Sequence, residues 1–240
     1  MAKKNKVLLL IISIFVFLQA VLNIFLLLEE FKDWFSSDLS DCIKYVSVIA
    51  CFVMSTISLT TKKGHFIILG LAFTLIADYF LLILDDYYII GLSAFIFTQT
   101  MYFLYIQPKH WKVSLIFRFG LFGIMALLLP LALKITEVSA FLAAFYFINL
   151  ATNAVDAYTS KDKGLLMLAI GLTFFIGCDI FVCIYNLKKY IDLPTDSIKA
   201  IKKIGFIGIW ICYIPSQTLI AISPFFKDKY ESISTKQYEE

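Results

Sequence analysis

Eight long apolar stretches, separated by short polar breaks, make up most of the chain. Each stretch holds about 20 mostly apolar residues, the length of helix that crosses the hydrocarbon core of a bilayer. The predicted spans are 7–28, 42–61, 66–84, 88–106, 113–133, 138–157, 165–187 and 204–223. The short Asp85-Asp86-Tyr87 break makes the third and fourth spans a helical hairpin. The pattern predicts an all-α polytopic membrane bundle, with one eight-span domain over 1–226 and a polar tail over 227–240.

The first apolar stretch and the segment before the last span each need a separate interpretation. The first apolar stretch follows a basic N-terminus, exceeds the apolar region of a cleaved signal peptide and lacks a small-x-small exit. We therefore interpret it as a retained span. Before the last span, residues 197–206 are predicted to lie as a short helix in the membrane interface.

Composition agrees with a lipid environment. Hydrophobic residues are 60% of the 240 residues and charged residues are 16%, whereas soluble domains are about half apolar and a quarter charged. The mean hydropathy is +0.85. The net charge of +3 is spread over many loops, so nothing in the sequence indicates a nucleic-acid partner.

The placement of basic residues predicts the orientation of the spans. With a cytoplasmic N-terminus, the inside segments, among which we count Arg118, hold 13 of the 21 basic residues, in line with the positive-inside rule. Five lysines between the seventh and eighth spans oppose this assignment. We expect a multi-pass protein of a bacterial-type cell membrane with both termini in the cytoplasm.

Two segments of the chain resemble each other. GLAFTLIADYFLLI, from Gly70, aligns without a gap with GLTFFIGCDIFVCI, from Gly171, and six of the fourteen positions are identical. Further on, a Gln-Thr pair at Gln99 is repeated at Gln217. A parallel duplication of four spans plus four spans would place Asp78 and Asp179, one in each segment, at equivalent depths.

These two aspartates are the strongest candidates for chemistry. A carboxylate within the hydrocarbon region is expensive and rarely faces lipid. If Asp78 and Asp179 face one cavity, their charges repel and one tends to stay protonated. Such a pair supplies one acid and one base, as the hydrolysis of an acid-labile ether or acetal requires. The alternative is that each aspartate only locks helix packing through a polar partner.

Other polar residues within the spans could line the same cavity or could merely join helices by hydrogen bonds. Lys44, at the start of the second span, could reach the headgroups, neutralise a buried aspartate or meet a lipid phosphate. Asp156, near a span end, is expected to be interfacial. The remaining candidates are Gln99, Tyr102, Asn149, Asn153, Tyr213 and Gln217.

Several kinds of site are disfavoured by the sequence. The five cysteines form no CxxC pair and are interpreted as small buried apolar residues. Both histidines, His65 and His110, lie in predicted loops, so a three-histidine zinc site within the membrane is not available. There is no GxSxG motif, no phosphate-binding loop and no intramembrane histidine to activate a serine.

The segments around both aspartates resemble the lysoplasmalogenase (YhhN-like) membrane family over nearly the whole chain. Asp78 stands in the family's third-span motif, and Gly91, Phe95 and Tyr102 follow as its Gly-x-x-x-Phe run and tyrosine. LTFFIGCDIF, with Asp179, resembles the second signature. The other matching positions are Lys44, Tyr213 and Gln217. The departures are Gln99 for a frequent His, Tyr45 for Pro, Ala77 for Gly and Cys178 for Ser.

This resemblance implies hydrolysis of the vinyl ether bond of a lysoplasmalogen, with a fatty aldehyde and a glycerophospho-headgroup as products. It implies that Asp78 and Asp179 are the catalytic acid and base, with neither metal nor cofactor. A lysophospholipid substrate and membrane lipid would be the partners. The rival hypothesis is a proton-coupled transporter or lipid-binding membrane protein that uses the same intramembrane aspartates.

Overall fold

The computed structural model describes residues 2–32, 37–61, 63–160, 162–186 and 194–226. These residues form helices and turns, and no strand occurs among them. The predicted tail 227–240 lies outside the described residues. The long helices are α1 (Ala2–Lys32), α2 (Ser37–Thr56), α3 (Gly64–Asp78), α4 (Tyr88–Ile106), α5 (Trp111–Ala132), α6 (Val138–Thr159), α7 (Lys163–Tyr185) and α8 (Thr195–Ile222).

All eight helices are long and apolar enough to cross a membrane, which confirms the predicted all-α bundle. The observed spans end within three residues of the predicted ones, except at the start of the last span. There the prediction of a separate interfacial helix over 197–206 is wrong, because α8 runs without a break from Thr195. Its N-terminal half is held closely against α7, where a Cβ on Gly205 would come 2.8 Å from the Tyr185 nitrogen.

Six helices enclose the interior of the bundle. In the order α2, α3, α4, α6, α7 and α8, each helix packs against the next, and α8 packs against α2 to close the circuit. Across this circuit, α3 also touches α8. Helix α1 packs outside against α8 and α2, and α5 packs mainly against α6. Large apolar side chains on these two outer helices, such as Phe17 and Leu131, are exposed as a lipid-facing surface requires.

Two hairpins, α3–α4 and α7–α8, form the most extensive helix contacts. The close approach depends on glycine, since a Cβ on Gly70 would overlap the Tyr102 ring and one on Gly208 would overlap Phe181. Between α3 and α4 the chain turns at once through Asp85 (φ 46°) and Tyr87 (φ 55°). The predicted hairpin is therefore present.

A π-helical turn, Tyr79–Ile83, follows Asp78 directly. The Leu84 amide donates to the Tyr79 carbonyl at 3.0 Å, the i→i+5 bond of such a turn. Helix α7, in contrast, continues as a regular α-helix beyond Asp179 to Tyr185. The internal repeat and the cytoplasmic placement of both termini stay predictions.

Candidate functional site

Asp78 lies at the end of α3 and is buried inside the six-helix circuit, with 6% of its surface exposed. Tyr213 of α8 donates a hydrogen bond to Asp78 Oδ2 at 2.5 Å. The hydroxyls of Tyr45 and Tyr102 lie within electrostatic range of this carboxylate, and that of Tyr45 donates to the Leu75 carbonyl at 3.2 Å. Asp78 thus has a firm hydrogen-bond donor that holds one carboxylate oxygen in place.

Asp179, on α7, has a different environment. Its Oδ2 atom is buried, and the Tyr146 hydroxyl of α6 is near enough to interact with it. Neither of these two atoms makes a hydrogen bond of normal geometry to any residue that the structure describes. Tyr146 also interacts electrostatically with Asp78, so the two aspartates face a common interior.

Aromatic packing fixes the two tyrosines that accompany the aspartates. The Phe175 ring lies between them, with its centroid 5.6 Å from that of Tyr213 and 6.3 Å from that of Tyr146. Phe95 of α4 stacks on Tyr146 at 5.2 Å. Because each ring is held by its neighbours, the two hydroxyls are kept in the interior. Tyr146 was not singled out as a site residue from the sequence.

Lys44 of α2 is 2% exposed, and its ammonium forms an ion pair with Asp41 at 2.8 Å. The same ammonium lies 4.4 Å and 4.6 Å above the ring centroids of Phe206 and Trp210 on α8, a cation–π arrangement. Trp210 in turn packs edge-on against Tyr213 at 5.9 Å. Lys44 is therefore joined to the Asp78 site through two aromatic rings, while its ion-pair partner is the partly exposed Asp41.

Many buried polar atoms of the inner helices have no hydrogen-bond partner among the described residues. Buried polar groups in folded proteins are nearly always paired, so unpaired ones on the inner helices are available to polar groups from outside the chain. Besides the Tyr146 hydroxyl and Asp179 Oδ2, these atoms include Gln99 Nε2, the Tyr102 hydroxyl, Trp210 Nε1, Ser216 Oγ and both amide atoms of Gln217.

A second polar cluster surrounds Arg118 of α5, which is 1% exposed. The guanidinium donates to Ser114 Oγ at 3.2 Å, to the carbonyl and Oδ1 of Asn149 at 3.4 and 3.0 Å, and to Asn153 Oδ1 at 2.9 Å. It also forms an ion pair with Asp156 at 2.7 Å. The predicted role of Asn149 and Asn153 at the substrate therefore has no direct support, because both side chains bind Arg118.

These contacts give Arg118 and Asp156 a pairing that was not predicted from the sequence, where Arg118 was only counted among the inside basic residues and Asp156 was placed near a span end. Helix α5 begins at Trp111, so Arg118 lies about two turns inside the span, where a charge needs a buried partner. Asn149, Asn153 and Asp156 stand at i, i+4 and i+7 on α6 and share one helix face. From the sequence, that spacing was the signal that could have predicted a cation on the helix facing α6.

The other predicted site residues lie on the inner helices. The structure brings Asp78, Asp179, Tyr102 and Tyr213 together around one interior and places the fully buried Gln99 on the same face of α4 as Tyr102. Gln217 is fully buried one turn after Tyr213 on α8. Within the described ranges, no group of three His, Cys, Asp or Glu side chains is arranged to hold a metal ion.

Comparison with protein families gives a match. The model of the YhhN family matches residues 39–224, which takes in α2 to α8 and both aspartates and leaves α1 outside. No curated protein and no solved structure matches the chain. A match over this share of the chain shows the family: the protein is a multi-pass membrane protein that belongs to the YhhN family.

Proposed function

We propose that this protein is a membrane hydrolase that cleaves the vinyl ether bond of a lysoplasmalogen, releasing a fatty aldehyde and a glycerophospho-headgroup. The observation that carries the proposal is the pair of aspartates, Asp78 and Asp179, which face one interior with a tyrosine beside each. Vinyl ethers are hydrolysed by acid, and the site offers two carboxyl groups in a setting enclosed by apolar helices. Membership of the YhhN family agrees with this reading.

The surroundings of the two carboxyl groups suggest different roles for them. A hydrogen bond from Tyr213 favours the ionised form of Asp78. Asp179 Oδ2 makes no hydrogen bond of normal geometry, so the shared proton is better placed on Asp179. Asp179 is then the acid, and Asp78 is the anion that stabilises the cation and accepts a proton from water.

The reaction needs only these two groups and one water molecule. Asp179 gives its proton to the alkenyl carbon that is not bonded to oxygen, which leaves an oxocarbenium ion next to Asp78. Water adds to the carbon of this ion and loses a proton to Asp78, and a hemiacetal results. The hemiacetal then collapses as Asp179 takes its hydroxyl proton and Asp78 gives a proton to the glycerol oxygen. Aldehyde and alcohol leave, and both aspartates are back in their starting protonation states.

Lys44 supplies positive charge for the phosphate end of the substrate. Its ammonium is buried and lies above Phe206 and Trp210, next to Tyr213 and hence to Asp78. A lysophospholipid could therefore place its phosphate at Lys44 and its alkenyl carbon atoms between the aspartates. The ion pair with Asp41 would loosen as the phosphate takes over part of the interaction.

The test is aldehyde release by the purified protein in detergent from an alkenyl lysophospholipid. We expect Asp78→Asn and Asp179→Asn to abolish release. Asp86→Asn makes the same change on the exposed turn after the π-helical segment, where its Oδ1 accepts from the Tyr87 amide, and should leave the rate unchanged. In D₂O the aldehyde should carry one deuterium on the carbon next to the carbonyl, because proton transfer to that carbon begins the reaction.

If the wild-type protein releases no aldehyde from any vinyl ether lipid, the proposed hydrolase activity is refuted. A proton-coupled transporter would instead move lipid across vesicle membranes in response to a pH gradient, and its flux would tolerate Asp→Glu at both positions.

A further inference from the structure

Gln99 of α4 is completely buried, and its two amide atoms are used unequally. Asn153 Nδ2 donates both to the Gln99 backbone carbonyl at 2.9 Å and to Gln99 Oε1 at 3.0 Å. Gln99 Nε2 has no partner among the residues described. The side chain is therefore anchored by its oxygen and presents an amide donor.

Arg118 determines the orientation of the Asn153 side-chain amide. A guanidinium only donates hydrogen bonds, so the Asn153 atom that faces Arg118 Nη2 at 2.9 Å must be the oxygen. The Asn153 amide nitrogen then points to Gln99, and only the Gln99 oxygen can accept from it. The direction of both amides thus follows from one charged group, which is itself held by Asp156 at 2.7 Å.

The Gln99 amide is placed between the two halves of the candidate site. Phe95 and Tyr102 lie on either side of Gln99 on the same face of α4, at i−4 and i+3. Phe95 stacks on Tyr146, the neighbour of Asp179, and Tyr102 faces Asp78. A buried, unpaired donor on this face of α4 is available to a substrate held in the interior.

We propose that Arg118 and Asn153 are positioning residues that fix Gln99 Nε2 as a hydrogen-bond donor to an oxygen of the glycerol backbone of a lysophospholipid. This inference rests on the proposed function, because it takes the substrate class from it. Gln99 contacts the substrate, whereas Arg118 and Asn153 act only through the orientation of Gln99. A merely structural network would tie α4, α5 and α6 together without any effect transmitted through the Gln99 amide.

The test is a double-mutant cycle read by binding rather than catalysis. The ligand is a 1-alkyl lysophospholipid, whose saturated ether is not a vinyl ether. Asn153→Asp keeps an oxygen for Arg118 but removes the donor to Gln99, so the Gln99 amide is free to flip. We expect Gln99→Ala and Asn153→Asp each to weaken binding about five- to tenfold, the scale of one hydrogen bond. In the Gln99→Ala background, Asn153→Asp should cause no further loss.

Gln99→Glu gives a second, independent measurement in case Asn153→Asp lowers the yield of folded protein. It keeps the oxygen that accepts from Asn153 and replaces the donor by a second oxygen, so binding should fall at least as far as in Gln99→Ala. Gln107→Glu makes the same change at the exposed end of α4, where the side-chain oxygen accepts from Lys63 at 2.6 Å, and should bind like the wild type.

Three outcomes overturn the inference: additive losses in the cycle, wild-type affinity in Gln99→Glu, or no binding of the alkyl lysophospholipid by the wild-type protein. The proposed hydrolase is decided separately by aldehyde release from the alkenyl lipid. Binding that follows the expected cycle without aldehyde release would support the positioning residues and refute the enzyme.

Discussion

Two buried polar regions of this bundle differ in how completely their side chains are hydrogen-bonded. Around Arg118, the guanidinium makes five hydrogen bonds to Ser114, Asn149, Asn153 and Asp156. Around Asp78 and Asp179, several buried hydroxyl, amide and carboxyl atoms of the described residues make no hydrogen bond of normal geometry. The two regions are joined by the Asn153–Gln99 contact, so the same helices carry both.

This difference distinguishes polar side chains that stabilise the fold from polar side chains that are available to a ligand. A polar group in an apolar interior costs free energy unless it is paired. The Arg118 region avoids that cost because its polar atoms are paired, and it gains rigidity from the pairing. The aspartate region retains the cost. Functional sites commonly lower stability in this way. Substitutions in the first region should therefore act mainly on stability, with an effect on the ligand only through the Asn153–Gln99 contact. Substitutions in the second region should act mainly on activity.

The largest effect is expected from Arg118→Met. It removes five hydrogen bonds and leaves the partly buried Asp156 without its cation. The cost should approach the value of about 3–5 kcal/mol for breaking a fully buried pair. The free energy of unfolding in mixed detergent micelles measures this loss. Asp179→Asn should change the same quantity by less than about 1 kcal/mol. Equal destabilisation by the two variants would break the comparison.

Asp156→Asn is expected to have the next largest effect. The asparagine can still accept from Arg118, but the charge-assisted bond at 2.7 Å is lost. A hydrogen bond to a charged group contributes about 1.5–3 kcal/mol, and the unfolding free energy should fall by that amount. Asp162→Asn at the N-cap of α7, which keeps an oxygen for the Gly164 amide, is the control and should change little.

Tyr213→Phe should affect the other region. It removes the donor to Asp78 and keeps the ring against Phe175 and Trp210. On the scale of a hydrogen bond to a carboxylate, aldehyde release should fall about ten- to hundredfold. The unfolding free energy should fall by less than in Arg118→Met, because Asp78 can take up a proton once its donor is lost. A rate equal to that of the wild type would place Asp78 outside the reaction.

Gly70→Ala should have the smallest effect. Its Cβ would overlap the Tyr102 ring, and overpacking costs about 1 kcal/mol or somewhat more. Since Tyr102 faces Asp78, activity should fall together with stability. Gly120→Ala on α5 meets nothing within 4 Å and should leave both unchanged. Matching results for the two glycines would show that the α3–α4 approach is less tight than described.

Hydropathy alone was enough to predict the spans, because lipid requires a continuous apolar helix of fixed length. The burial of Asp78 could also be predicted from the cost of a charge in lipid. The partners of the aspartates could not. Tyr213 is 135 residues from Asp78 in sequence, and only the packing of α3 against α8 brings the two together.

The Arg118 region shows a second limit of the sequence. Asn149 and Asn153 were predicted to line the site because they are polar and intramembrane, but the composition of a span does not say which helix faces it. Arg118 was counted with the basic residues of the inside segments, so its demand for a buried acceptor was overlooked. The i, i+4, i+7 spacing of the polar residues on α6 would have pointed to it.

The π-helical turn Tyr79–Ile83 changes the meaning of the gapless alignment between the two aspartate segments. Up to Asp78 and Asp179, aligned residues stand on regular α-helices and can share a direction. Beyond them, each hydrogen-bonded ring of the π turn holds one residue more than its counterpart in α7. Beyond the two aspartates, aligned residues therefore no longer point in equivalent directions from their helices. Removal of one residue from Tyr79–Ile83 would let the chain close as an ordinary α-helix, so this segment is where a relative can carry a single-residue deletion and keep its aspartate in place.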